Sequence, residues 1–326
     1  MVVTIKDIAE KVGVSVTTIS RVLNNRGYLS DDLKKRVQVA MEEMNYQPNE
    51  IARSLSRKKS NIIGLIIPDV SHPFFAELTK HIEYYAYTHG LKLLLCNSLL
   101  NKKKEKEYFD LLKASQVDGI IMGSHTMRVE DYKSINLPIV TIDRQITDSI
   151  PYISSDNYEG GKLATKLLID KKCRKIAYIS GNLQLNLLAT KRHHAFIEQV
   201  RASGVEFVVK ETQINGFNLA DYKNLIRALF KEHPDVDGIF ASSDIIAMEV
   251  IKECHRLGKS IPEQVRVVGY DGIQQGYFNN WQITTIEQPI RDMGKLAVQH
   301  LVQQIAGKEP PMETILPVKL LERGTA

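Results

Sequence analysis

Only three of the 326 residues are cysteine, Cys96, Cys173 and Cys254. They are odd in number and widely spaced, so neither a disulfide framework nor a CxxC metal pair is expected. The thiols read as structural in a reduced, cytoplasmic protein. Long apolar runs are also missing. The run Ile62–Ile67 is among the longest, far short of the roughly 20 residues a membrane helix needs. The first residues, Met1-Val-Val-Thr-Ile-Lys-Asp, show no basic stretch leading into a long apolar one, so no secretion signal is expected. With 43% hydrophobic and 25% charged residues, disordered, collagen-like and low-complexity classes are excluded. The length instead suggests two or three domains.

The net charge is +5, and its placement matters more than its size. Residues 1–60 carry eleven Lys/Arg against seven Asp/Glu, whereas the remaining residues carry thirty-two against thirty-one. The basic excess sits at one end, as in a small nucleic-acid-facing segment on a nearly neutral body. A plain solvated face gives the same imbalance, so charge alone leaves both readings open.

The pattern of residues 4–23 narrows the choice. Ile5, Ile8, Ala9 and Val12 recur at helical spacing. Thr4 can cap this helix with Asp7 as its acidic partner, and Gly13 falls where the helix ends. Ser15 can cap a second helix with Ile19, Val22 and Leu23 inward. Two short helices around a glycine turn predict a helix-turn-helix. The second would present Val16, Thr17, Ser20 and Arg21 to a major groove, Val16 against a thymine methyl and Arg21 against guanine. Thr4, Ser15, Thr18, Asn24 and Tyr28 are placed to hold phosphates. A third helix over 31–44, capped by Ser30, closes the headpiece. Pro48 then breaks the chain, and Asn49 can cap a segment over 50–56 that is too short to be a stable helix alone.

From residue 61 the signals alternate between strand and helix. Strands are expected over 62–67, 91–95, 119–122 and 139–142, then over 175–179, 207–209, 237–240 and 265–268. Val117-Asp-Gly-Ile-Ile recurs as Val236-Asp-Gly-Ile-Phe, and each copy leads to a strand ending in aspartate, Asp143 or Asp271. Two similar α/β halves with parallel sheets and a cleft between them follow from this pattern.

Catalytic signatures are absent from the sequence. There is no GxGxxG, GxxxxGK[ST] or HExxH. Gly160-Gly161 is a weak phosphate signal. His193-His194 are adjacent and point apart on a helix, a poor metal pair. No enzymatic activity, cofactor or metal is expected. The strand-end loops do hold groups suited to a sugar: Asp69, Ser71, Phe74, His125, Asp143, Arg144, Arg192, Ser243, Asp244, Asp271, Tyr277, Phe278 and Trp281. Asp244 equally reads as the cap of the helix it opens, Trp281 as core, and Phe75 as core rather than ligand wall.

The stretches "TIKDIAEKVGVSVTTISRVLNN" and "NYQPNEIARSLSRKKSNIIGLIIPD" resemble the LacI-type bacterial transcription repressors, and the resemblance continues along the whole chain. It implies an all-α helix-turn-helix headpiece followed by an α/β body. That body would have two doubly wound parallel-sheet lobes like those of periplasmic sugar-binding proteins, joined by three crossovers. The implied domains are 1–47 for DNA binding and 48–60 for a hinge helix and linker. The first lobe takes 61–157 with 288–318, the second 158–287, and 319–326 forms a tail. In the hinge, Ala52 and Leu55 match groove-facing and inserted positions, and such a wedge kinks DNA.

Arg192 and Asp271 match effector-contacting positions most firmly, with Asp143 and Phe74 less so. Ser243 and Gly272 depart from the asparagine and second aspartate that many members carry. "DRQITDSIPYISSDNYEGGKLA", "GYDG" and "LPVKLL" are similar to sucrose-operon repressors of Gram-positive bacteria, and ribose-operon repressors share the first half nearly as well. The resemblance therefore implies a homodimer that binds double-stranded operator DNA and is released by a sugar, a fructoside such as sucrose before ribose. The outer helices of the body, including 74–87 and the last helix, would pair the subunits. Two rivals are a corepressor- or phosphoprotein-dependent regulator of the same family and a sugar-binding protein without specific DNA binding.

Overall fold

The computed structural model describes residues 3–24, 26–47, 59–124, 126, 131, 137–185, 187–213, 219–273 and 282–326. The chain divides into two compact units, residues 1–61 and 62–326. Among its described residues the first unit has three helices, α1 (Ile5–Val12), α2 (Val16–Leu23) and α3 (Asp31–Glu43). Ile8, Ala9, Val12, Ile19, Val37 and Ala40 form its core. Burying six small apolar side chains gives modest stability, so the caps and ties matter. Gly13 ends α1 at φ 75°, a conformation glycine adopts without a Cβ penalty. The Arg36 guanidinium donates to the Val12 carbonyl at 2.5 Å, and Lys11 pairs with Glu43 at 2.7 Å, so α3 braces the end of α1.

The second unit contains two six-stranded sheets. The first runs in the order β11-β5-β4-β3-β1-β2, with β1 (Ile62–Ile67), β2 (Lys92–Asn97), β3 (Gly119–Met122), β4 (Ile139–Ile142), β5 (Tyr152–Ser155) and β11 (Glu313–Leu316). All its pairings are parallel. The second runs β12-β10-β9-β8-β6-β7, with β6 (Lys175–Ser180), β7 (Glu206–Glu211), β8 (Gly238–Ala241), β9 (Arg266–Asp271), β10 (Thr284–Glu287) and β12 (Lys319–Leu321). Only β12 is antiparallel among its pairings.

Helices cover both faces of each sheet, which is why the central strands read as continuous apolar runs. Helices α4 (Pro73–Thr88) and α10 (Ile290–Ile305) cover one face of the first sheet, and α5 (Lys102–Ala114) covers the other. On the second sheet, α8 (Leu219–Glu232) and α9 (Asp244–Arg256) lie opposite α6 (Asn157–Asp170) and α7 (Thr190–Ser203).

The chain passes between the two lobes three times: after β5 at Asp156, after β10 at Gln288-Pro289, and between β11 and β12 at Pro317-Val318. Residues 319–326 are not a separate tail. Strand β12 pairs with β10, and Thr325 and Ala326 are buried in the second lobe. The Thr325 hydroxyl receives the Thr284 N–H at 2.8 Å and donates to the Val267 carbonyl at 2.7 Å. The two repeated Val-Asp-Gly segments lead into β3 and β8, equivalent strands of the two sheets. Among the described residues, no helix is long and apolar enough to cross a membrane.

Candidate functional site

The headpiece presents the face expected of a recognition helix. Val16, Thr17 and Arg21 are exposed on α2, and Ser20 is half-buried. Thr4 is bound to Asp7: its N–H and hydroxyl each donate to that carboxylate at 2.7 Å. These bonds hold the Asp7 carboxyl below the usual aspartate range. Ser15 caps α2 by accepting the Thr18 N–H at 3.1 Å, and the two hydroxyls share a bond of 2.8 Å. The Asn24 amide donates to the Ser20 carbonyl at 2.9 Å, so it closes the end of α2. Tyr28 is fully exposed. Asn49, Ala52 and Leu55, assigned to the hinge, lie outside the described residues, as do His125, Tyr277, Phe278 and Trp281 of the effector set.

In the body, a cavity of about 260 Å³ opens at the carboxyl ends of the strands. Asp69, Ser71, Phe74, Asp143, Arg144, Arg192, Ser243 and Asp271 all line it. Phe75, read as core, is half-buried and lines it too. Asp69 takes the Ser71 N–H at 2.9 Å and its hydroxyl at 2.8 Å. Burial pushes His72 beside it down to about 4, against the pull of Asp69, so this wall residue is neutral.

Arg192 is the centre of the polar wall and is 6% exposed. Its Nε donates to Asn157 Oδ1 at 2.7 Å and an Nη donates to the Ser242 carbonyl at 2.8 Å. Its guanidinium carbon lies over the Tyr270 ring. Burial works against its charge, but Tyr270, Asp271 and Asp143 more than offset it. Asn157 in turn donates to Ser154 Oγ at 3.0 Å, and Ser154 donates to Asp143 at 2.6 Å. A second chain runs from Ser155 Oγ to Gln288 Oε1 at 2.7 Å, and from Gln288 Nε2 to Asp271 at 2.7 Å. Burial drives the Asp271 carboxyl well above the aspartate range, with Arg192 opposing. Both repeat-end aspartates have positive φ, 54° at Asp143 and 118° at Asp271, a strained backbone that is common where side chains are aimed at ligands.

Sequence reasoning missed Asn157 and Gln288, which bond groups of both lobes. Asn157 stands two residues after the end of β5 and Gln288 directly follows β10, the region where ligand groups are expected, but β10 was not read as a strand. It also missed the cavity residues Tyr178, Asn182 and Tyr222. Glu105 went unnoticed as well. It is fully buried on α5 and receives the Ser124 and Thr126 hydroxyls, fixing the loop after β3 at the cavity wall. Asp244 does not cap its helix; Ser243 does, accepting the Ile246 N–H at 3.3 Å. Gly160-Gly161 is no phosphate loop. Both residues are buried inside α6, where a Cβ on Gly160 would strike the Tyr270 hydroxyl and one on Gly161 would sit 2.6 Å from the Arg192 carbonyl oxygen. At Gly272, φ is 74° and a Cβ would stand 2.6 Å from Glu287 Cα, so the second aspartate of other members has no room here.

The chain is similar to known proteins along its length. The family described as "Bacterial regulatory proteins, lacI family" matches residues 4–49, and "Periplasmic binding proteins and sugar binding domain of LacI family" matches residues 60–324. The ribose operon repressor of Halalkalibacterium halodurans is 40% identical, with 99% of this chain and 96% of that protein aligned. The sucrose operon repressor of Streptococcus mutans is 38% identical, with 98% of each aligned. Among solved structures, a regulator from Alkaliphilus metalliredigens complexed with D-xylulofuranose is 35% identical with a TM-score of 0.74, covering 81% of this chain and 98% of that one. The lac repressor dimer bound to operator and an anti-inducer has a TM-score of 0.86 at 23% identity, covering 100% and 99%, a likeness of fold.

Proposed function

Since the chain belongs to the LacI family of bacterial regulatory proteins, we propose that it represses a carbohydrate-utilisation operon as a homodimer. The dimer would bind a palindromic operator and leave it when a sugar enters the cavity. One observation carries this reading. The same chain holds an exposed recognition-helix face (Val16, Thr17, Arg21) and a cavity in which Asp143, Arg192 and Asp271 converge. Carboxylates and a planar guanidinium are the bidentate partners that sugar hydroxyls need, and Phe74 and Phe75 offer an apolar wall.

The effector we favour is an unphosphorylated sugar, a fructoside such as sucrose before ribose. Asp69, Asp143 and Asp271 line the cavity against Arg144 and Arg192, and Arg192 is already committed to Asn157, Ser242 and Tyr270. A phosphate dianion would face Asp69 and Asp143 with the Arg192 guanidinium already engaged. The names of the relatives, ribose and sucrose operon repressors, support the same sugars. Asn157 and Gln288 sit at two crossovers and bond to Asp143's partner Ser154 and to Asp271, so ligand contacts bear directly on the joints between lobes. If sugar weakens DNA binding through them, DNA weakens sugar binding by the same factor.

The test is anisotropy of the DNA upstream of the protein's own and neighbouring genes, at fixed salt, across free sugars and sugar phosphates. Release by a free sugar supports the proposal and names the effector. Tightening by a small molecule reverses the sign and favours the corepressor rival. Absence of specific DNA binding overturns the repressor reading.

A further inference from the structure

Asp244 opens α9, is 1% exposed, and does not line the cavity. Its carboxylate nevertheless ties together three segments. Oδ1 accepts the Thr285 hydroxyl of β10 at 2.6 Å. Oδ2 accepts the Ile273 N–H at 2.8 Å, and the Gly272 N–H also donates to the carboxylate. The space it occupies is kept open by β9: a Cβ on Gly269 would overlap Oδ1. A buried carboxylate is costly unless its lone pairs are met, and here the donors come from the backbone just after Asp271 and from the neighbouring strand.

That backbone is the unusual part of the site. Asp271 has φ 118° and Gly272 has φ 74°. A non-glycine residue at such a φ, as at Asp271, persists only where surrounding structure over-determines it. The turn follows Asp271 immediately, so its conformation sets the direction of the Asp271 carboxyl beside Arg192. We infer that Asp244 is a positioning residue for effector recognition: by holding the Gly272 and Ile273 amides, it locks the turn that aims Asp271 into the cavity. The effector role of the cavity is taken from the function proposed above; the lock on the turn is a separate, structural part of the inference.

Two variants and two measurements on the full-length protein test this. Asp244→Asn keeps the shape, but its NH2 can pair only with the Thr285 hydroxyl, which leaves one weaker, uncharged oxygen for the Ile273 and Gly272 N–H groups. Gly269→Ala displaces the carboxylate from the opposite side. Hydrogen exchange without sugar reads the turn directly. Peptides spanning 271–273 should exchange about tenfold faster in both variants, while peptides of the first sheet keep their protection. Release of operator DNA by free sucrose, fructose and ribose reads the consequence. The concentration giving half release should rise about tenfold in Asp244→Asn, and the same change in an Asp271→Asn background should add nothing further. Unchanged exchange at 271–273 overturns the inference. So does an Asp244→Asn loss that adds in full to that of Asp271→Asn, as a merely structural role would. If no sugar releases the wild-type protein, the effector reading fails, and the exchange result alone decides whether Asp244 fixes the turn.

Discussion

The guanidinium carbon of Arg192 lies 3.5 Å from the centre of the Tyr270 ring. This contact joins α7 to the end of β9 and sets a buried cation where it feels the charges of Asp143 and Asp271. Removing it leaves those carboxyls in a site arranged around a positive charge. Arg192→Ala strands the Asn157 amide oxygen and the Ser242 carbonyl and should therefore cost about 1–3 kcal/mol of stability, the range for leaving buried polar groups unpaired. Arg192→Lys should fall between, because an ammonium cannot bond Asn157 and Ser242 while stacking on the ring. Denaturant unfolding of the three proteins checks the order.

Gly161→Ala tests the same region from behind. The new Cβ would stand 2.6 Å from the Arg192 carbonyl oxygen and 2.8 Å from its Cα. Both are backbone atoms, so α6 and α7 must move apart. A loss of about 1–3 kcal/mol is expected, together with a weaker sugar response. An unaltered melting temperature would mean that the two helices are not in the contact described.

In the headpiece, Ser15 and Arg21 should fail differently. Ser15→Ala removes the cap of α2 and should cost about 1 kcal/mol of helix stability, lowering affinity for all DNA sequences alike. Arg21→Ala should cost roughly 1–3 kcal/mol at one base pair and relax specificity there. Binding to operators mutated position by position separates the two patterns.

Stability should depend on pH through Asp244. Burial, opposed by the Thr285 hydroxyl and the Ile273 and Gly272 amides, pushes its carboxyl up to about 7. Asp271, which interacts with it, is raised as well, so between about pH 4 and 7 the folded protein holds proton on this pair that the unfolded chain releases near pH 4. Stability from this group is present in full below that value and is lost as pH rises through about 7, with a slope of up to about 1.4 kcal/mol per pH unit. Asp244→Asn lacks the titration. Its stability relative to wild type should improve steadily between about pH 4 and 7, and parallel curves would count against a proton on Asp244.

Thr325→Val probes the docked end of the chain. It keeps the side chain's size but strands the buried Thr284 N–H and the Val267 carbonyl. A loss of about 1–3 kcal/mol by thermal unfolding is expected.

The parts of the molecule most legible in sequence were those with one clear physical signature. The caps at Thr4 and Ser15, the glycine at 13 and the inward Ile8 and Ile19 define the headpiece, because local rules act within one turn. The runs Ile62–Ile67 and Gly119–Met122 announce themselves because both faces are buried. Strands β10 and β12 were not read. Their Thr284-Thr-Ile-Glu and Lys319-Leu-Leu segments are short, and they become strands by pairing with distant partners. The same gap hid Gln288. Asp271 was found from its place at a strand end, but the clamp on its backbone depends on Asp244, 27 positions earlier in the sequence, which no spacing rule links to it.

The three passes between lobes also set an order of assembly during synthesis. The first sheet needs α10 and β11, which begin at Ile290 and Glu313, and the second needs β12 and Thr325. Neither lobe has its full complement of strands until almost the entire polypeptide has left the ribosome. The headpiece helices α1 to α3 are complete by residue 43. At about 5–20 residues per second, the interval between these events is on the order of tens of seconds. For that time each nascent chain carries a folded three-helix headpiece attached to a body in which both sheets are unfinished.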